Sequence, residues 1–165
     1  MQTLASLLRN ATLSGACALG LTATASAEEF QRELWLTSGF LSHHTQHASR
    51  YNQHNDGLGL EWRWADDFQF NTGHYRNSLR HGSTYAQLGW TPLDHQLSPS
   101  LKWQAGASVG VINGYPKVRH GGYFATLVPA MTLEWGRVGV NLLYIPSVGK
   151  RVDGAYAIQL KVKAF

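Results

Sequence analysis

Beyond residue 27 the chain has no run approaching the ~20 apolar residues that a membrane-spanning helix needs. It falls instead into about eight strand-length segments of alternating or apolar character. The clearest alternation sets Leu101, Trp103, Ala105, Ala107, Val109 and Val111 on one face against Lys102, Gln104, Gly106, Ser108 and Gly110 on the other. Period-2 faces recur in Leu58, Leu60, Trp62, Trp64 and in Tyr156, Ile158, Leu160, Val162. The opposite faces, with Gly57, Gly59, Glu61, Arg63 and with Gln159, Lys161, Lys163, suit a polar interior. A helical membrane protein is excluded, and a barrel or a soluble β-domain remains. With 17 glycines, 12% aromatic and only 15% charged residues, the composition favours β structure over helix.

The spacing predicts strands over 33–44, 57–65, 67–78, 83–92, 100–112, 122–135, 137–146 and 154–165, each about long enough to cross a membrane at a tilt. Connectors alternate between tight turns, Ala65-Asp66-Asp67 and Trp135-Gly136-Arg137, and long polar loops, 45–56 and 113–121. Short turns on one side and long loops on the other are the pattern of an all-β, eight-stranded antiparallel transmembrane β-barrel of the outer membrane. With the N-terminus inside, the strand ends carrying His43, Ser78, Asn113 and Pro146 emerge at the cell surface. Phe165 shares the parity of Lys161 and Lys163, so either the last strand is bulged or its terminal aromatic is out of register with lipid. Pro129 and Pro146 each remove a ladder donor, which leaves gaps near the outer rim or merely ends or bends a strand.

Residues 1–27 have one cation, Arg9, an apolar stretch around Ala16 to Leu21, and Ala25-Ser26-Ala27, which fits a secretory leader. Cleavage there leaves residues 28–165 as a single barrel domain. The only cysteine, Cys17, lies in the leader, so the mature domain has no thiol chemistry. Removing Arg9 from the 14 basic residues leaves 13 against 10 acidic, a modest excess.

Six of the eight histidines (His43, His44, His47, His54, His81 and His120) map to the outer rim. With them come Arg50, Arg80, Lys117, Arg119, Lys150 and Arg151, opposed in those loops by Asp56 and Asp153. Such a rim either meets lipopolysaccharide phosphates or is simply solvated. His43-His44-x-x-His47 suggests metal only weakly, because zinc needs three or four converging ligands and neither Cys nor a Glu motif accompanies it. The residues therefore point to no metal. Gly73-His74-Tyr75-Arg76-Asn77-Ser78 ends a strand emerging near the one that ends at His43. A serine with a histidine in reach can activate a hydroxyl toward an ester; Asn-Ser is also common turn chemistry.

In order along the mature chain, five segments carry a family likeness. They are an aromatic-rich first strand ending at His43, Arg50-Tyr51-Asn52 with Gly57-Leu58-Gly59-Leu60, Tyr75-Arg76-Asn77-Ser78, Trp90-Thr91-Pro92-Leu93, and Tyr144-Ile145-Pro146 after Pro129. In this the chain resembles the outer-membrane lipid A palmitoyltransferases (the PagP family). The resemblance implies an acyltransferase that moves a palmitoyl or similar chain from a phospholipid donor to a lipid A acceptor, with no soluble cofactor. Carried over by position, the catalytic set is His43, Asn77 and Ser78. Arg50, Arg76 and Arg80 are candidates for phosphate contact; on strand four the spacing around Tyr85 to Gly89 departs from the family's, and if Tyr85 is at the floor of the acyl pocket a shorter chain is implied.

Two further departures matter. Asn77 stands where the family usually has Asp, so the rate suffers, another carboxylate such as Asp56 helps, or the residue is not an ion-pair partner. A one-residue shift exchanges the faces of a strand and would make His44 the matching histidine. The family's N-terminal amphipathic helix is shortened or lost. The expected protein is a membrane-embedded monomer without a nucleic-acid partner. Its rivals are a non-enzymatic surface barrel, in which His43 and Ser78 point apart and side chains fill the interior, and a lipid A deacylase.

Overall fold

The structure is a computed structural model that describes residues 33–149 and 152–165. The expected leader with Cys17, the segment before Glu33, and Lys150 and Arg151 lie outside the described residues. Eight antiparallel strands close into a barrel in sequence order. They are β1 Glu33–His44, β2 His54–Arg63, β3 Phe68–Arg76, β4 Gly82–Ser98, β5 Leu101–Ile112, β6 Phe124–Trp135, β7 Val138–Ile145 and β8 Ala155–Lys163. β8 returns to pair with β1. Short turns gather at one end, and at the other lie the longer connections 45–53, 77–81, 113–123 and 146–154.

The alternation read from the sequence is realised. Leu58, Trp90, Val109, Tyr156 and Leu160 are exposed on the outer wall, while Glu61, Arg63, Gln159 and Lys161 are buried in the lumen. β8 ends at Lys163, and Phe165 lies beyond it, so the terminal parity is resolved by the strand stopping, with no bulge in β8. One boundary differs substantially from expectation. β4 runs past Pro92 to Ser98, pairing with β5 through register shifts between Trp90 and Leu93 and between Gln96 and Ser98. β3 reaches only as far as Trp90 on that side, so Pro92 sits where no neighbour needs its missing amide.

The lumen at the short-turn end is filled by charge. Lys161 Nζ lies 2.5 Å from Glu61 and 2.7 Å from Glu134, Arg63 lies 2.7 Å from Glu134 and 3.2 Å from Glu33, and Lys163 pairs with Glu33. Three cations thus meet three carboxylates. Lys161 also sits 4.5 Å above the buried ring of Trp35. Desolvating these ions would be prohibitive singly; together they neutralise one another and close that end of the barrel.

The wall opens in one place. β6 pairs with β7 only from Ala130 to Trp135, one residue short of Pro129, whereas its upper part, Phe124 to Pro129, pairs with β5 alone. Tyr144 and Ile145 of β7 likewise pair only with β8, and Pro146 follows at the end of the strand. A residue without an amide at Pro129 and another at Pro146 bracket this break in the ladder.

Candidate functional site

Above the ion layer the lumen is hollow. A cavity of about 430 Å³ reaches from Gln69, Thr132, Asn141 and Gln159 up to the rim. Phe40, Phe124, Val128, Leu143, Ile145 and Ala157 give it largely apolar walls. Leu127, 64% exposed on the outer face of β6, also lines it, so the cavity communicates with the outside through the β6–β7 break.

Tyr85 is buried at the cavity floor and crosses from β4 to β8, where Gln159 Nε2 donates to its hydroxyl at 3.2 Å. It passes over two glycines of the intervening strands. A Cβ at Gly59 or Gly73 would stand 2.6 or 2.7 Å from the Tyr85 hydroxyl, so the missing side chains make the groove in which this tyrosine lies.

The expected histidine does not line the cavity. His43 faces outward, opposite exposed Tyr156, while His44 is buried and lines the cavity. The cause is a bulge. Register slips between Ser38 and Phe40 against β2, and between Thr37 and Phe40 against β8. Trp35 and Thr37 point inward below the slip; Phe40, Ser42 and His44 line the lumen above it. Gly39 permits this, since a Cβ there would lie 2.0 Å from the Asn55 carbonyl oxygen.

Ser78 is buried and lines the same cavity as His44. The two side chains are not hydrogen-bonded to each other, and His44 Nδ1 is buried without a partner. Ser78 is held by its backbone, whose carbonyl accepts from Asn52 N at 2.8 Å and so ties the 77–81 turn to the 45–53 loop.

Asn77 does not orient the histidine. Its side chain is fully buried; Nδ2 donates to Ser83 Oγ at 2.8 Å and to the Gly114 carbonyl at 2.7 Å, while Oδ1 accepts from Leu79 N and His81 N. Both donors and the carbonyl are engaged in holding the turn that presents Ser78. Asp56, the suggested substitute carboxylate, is exposed on the outside of the wall.

Arg50 is exposed at the end of a short 3-10 turn, Ala48–Arg50. Arg76 is exposed on the outside, and its Nε donates to the carbonyl of Arg80, itself in a left-handed conformation at φ 65°. Among the described residues neither Arg76 nor Arg80 has a carboxylate partner, in contrast to the fully paired cations of the lumen. The His43, His44 and His47 side chains diverge. The first faces outward, the second faces the cavity, and the third lies 3.6 Å from Asp153.

Residue-by-residue reading missed the groups that surround His44. Tyr51 stacks on its ring at 4.0 Å, 17° from parallel, and the Tyr51 hydroxyl donates to Asp153 Oδ2 at 2.6 Å. Thr45 N donates to the Gly154 carbonyl at 2.8 Å, fastening the 45–53 loop to the 146–154 loop. The hydrogen bond from Tyr51 holds the Asp153 carboxyl below its usual 3.8, and the same bond pushes the Tyr51 phenol above its usual 10.0. Tyr115, from the 113–123 loop, also lines the cavity and hydrogen-bonds Tyr75 at 2.9 Å. Arg50-Tyr51-Asn52 entered the family likeness and Asp153 the polar rim, but nothing in their local sequence joins Tyr51, Asp153 or Tyr115 to the cavity, since each acts through a partner distant in the chain.

The arrangement places a histidine and a serine hydroxyl in the lining of one apolar-walled cavity beside the break between β6 and β7. A scan against protein-family models and a search of curated proteins found no match to this chain.

Proposed function

We propose that this protein is an outer-membrane acyltransferase that moves a palmitoyl or similar chain from a phospholipid to lipid A, with His44 in the catalytic role. The observation that carries the reading is the hollow upper lumen, with His44 and Ser78 in its lining, a break in its wall between β6 and β7, and a sealed charged layer beneath. A cavity with apolar walls suits an acyl tail, and a lateral opening admits a tail without lifting the lipid from its bilayer. The outer wall supports a membrane setting, with exposed Leu58, Leu88, Val109, Leu127 and Leu160 between Trp62, Trp90 and Trp135 toward one end and Tyr144 and Tyr156 toward the other.

In this reaction the donor tail enters between β6 and β7 and comes to rest above Tyr85, with its ester near Ser78. A lipid A hydroxyl attacks the ester carbonyl while His44 takes its proton. The Ser78 hydroxyl donates to the carbonyl oxygen as negative charge develops there. The old ester bond breaks, the new one forms, and His44 returns the proton to the departing lysophospholipid oxygen. Arg50, Arg76 and Arg80, without a carboxylate partner among the described residues, offer guanidinium groups to the phosphates of lipids around the rim.

Mass spectrometry of lipid A from cells expressing the chain tests this directly. Wild type and His43→Ala are expected to add one acyl mass, and folded His44→Ala and Ser78→Ala to add none. A loss of acyl mass would replace the reading with deacylation. Unchanged lipid A, with donor lipid present in the outer leaflet, would favour a non-enzymatic barrel, whose expectation that His43 and Ser78 point apart is met while its filled interior is not.

A further inference from the structure

The carboxylate that supports the catalytic histidine comes from neither of the places that sequence order suggests. Position 77 is an asparagine committed to its own turn, and Asp56 lies outside the wall. Asp153, from the 146–154 connection, does line the cavity that holds His44 and Ser78. Between Asp153 and His44 stands Tyr51, hydrogen-bonded to the first at 2.6 Å and stacked on the second at 4.0 Å.

We propose that Asp153, acting through Tyr51, is the anionic partner of His44, replacing the carboxylate that position 77 lacks. The inference rests on the acyl-transfer reading for its catalytic meaning, but the coupling itself is a property of the three side chains. When His44 takes the proton of the attacking hydroxyl, an imidazolium forms beneath the Tyr51 ring. A phenol donating its hydrogen to a carboxylate is enriched in electron density, so the ring face offered to the imidazolium is more attractive to positive charge. The Asp153 charge adds through-space stabilisation. No proton leaves Tyr51 or Asp153; the one His44 receives from the hydroxyl passes to the lysophospholipid leaving group. Asp153 and Tyr51 are thus positioning residues, one fixing the ring and the other its charge preference.

Among the described residues the other titratable neighbours are His43, on the outward face of the same strand, and His47, 3.6 Å from Asp153 in the same loop as Tyr51. Arg50 adds its charge near Tyr51. Protonation of either histidine opposes a charge on His44, so the effect of Asp153 is read best where both are neutral.

The test uses the full mature chain in lipid nanodiscs, with 13C-labelled histidine imidazoles and His44→Gln to assign the signal. Asp153→Asn is expected to lower the His44 pKa by about half to one unit, because removing an anion disfavours the imidazolium. The acid limb of the pH profile of kcat/KM should move down by the same amount, with a loss of roughly tenfold or more at its plateau. Tyr51→Phe, which keeps the ring and loses the hydroxyl, should reproduce part of both changes, and Asp56→Asn neither. An unmoved His44 titration in folded Asp153→Asn overturns the proposal, even if acyl transfer is intact. A His44 pKa lowered by Asp153→Asn, where the wild-type protein transfers no acyl chain, supports the coupling and removes the acyl-transfer reading instead.

Discussion

Asn77 Nδ2 donates to the Gly114 carbonyl at 2.7 Å, joining the 77–81 turn to the loop after β5 from a fully buried position. An aspartate has no such donor. Its second donor is fixed too, because Ser83 Oγ accepts from it while donating to the Asn113 carbonyl at 2.7 Å. Asn77→Asp is therefore expected to destabilise the protein by about 3 kcal/mol or more, by burying a carboxylate against a carbonyl oxygen. Urea unfolding in detergent, followed by Trp fluorescence, measures this. An equally stable variant with a faster rate would instead make position 77 a partner of the histidine.

The ion layer makes a second prediction. Lys161→Ala leaves Glu61 and Glu134 buried without the cation between them, and should cost about 3–5 kcal/mol. Lys161→Met combined with Glu61→Gln removes one charge of each sign and should recover much of the loss. Equal destabilisation by the single and double variants in urea titrations would show that packing around Trp35, and not charge balance, governs this layer.

Tyr85 and Gln159 together form the floor beneath the proposed acyl chain. Tyr85→Ala deepens the cavity and should shift lipid A products toward longer chains, at a stability cost of about 3–5 kcal/mol for the aromatic deletion. Tyr85→Phe keeps the ring and should leave the product length unchanged. Chain lengths read from lipid A mass spectra decide between the floor and a role in folding alone.

The β6–β7 break can be closed chemically. If the ladder continued upward, Val128 would face Ile145, and both line the cavity. A disulfide between Val128→Cys and Ile145→Cys should reduce transfer by at least about tenfold, with recovery on reduction, since a closed gate blocks the entry step. The only cysteine of the chain is Cys17, within the expected leader, so no other thiol of the mature domain competes. Full activity in the oxidised form would send the donor elsewhere.

The tie between Tyr51 and Asp153 gives a pH dependence of definite sign. The Asp153 carboxyl is held below its ordinary 3.8 by the Tyr51 hydrogen bond. A depressed folded-state value contributes stability that is complete above the unfolded value and is lost as pH falls through the folded one. The 45–53 and 146–154 loops should therefore stay joined near pH 4 and separate only in stronger acid. Pepsin should cut Tyr51→Phe in these loops at pH 4 while sparing wild type; equal resistance would mean that the backbone bond from Thr45 to Gly154 is sufficient.

Much of the architecture was legible in the residues because strand polarity is local. Lys161 and Glu61 declared an inward face by sitting between Leu160, Val162 and Leu60, Trp62, and the closed barrel keeps them there. The proline pair was also readable as missing amides, although only the pairing shows that they bracket one break. His43 and His44 were not separable, since a strand pattern continued in phase from Trp35 selects His43. The clue was the five-residue interval between outward Leu36 and Leu41 across Gly39, which no unbroken period-2 strand allows.

The sequence by itself determined the number of strands, their inner and outer faces except in β1 above Gly39, and two of the longer connections, because these follow from local alternation and from the turn chemistry between segments. Tertiary structure alone decided which histidine meets the cavity and which carboxylate stands near it. A bulge is fixed by the register of neighbouring strands, and the Tyr51–Asp153 bond joins residues 102 apart in the chain, brought within reach only when β8 closes on β1.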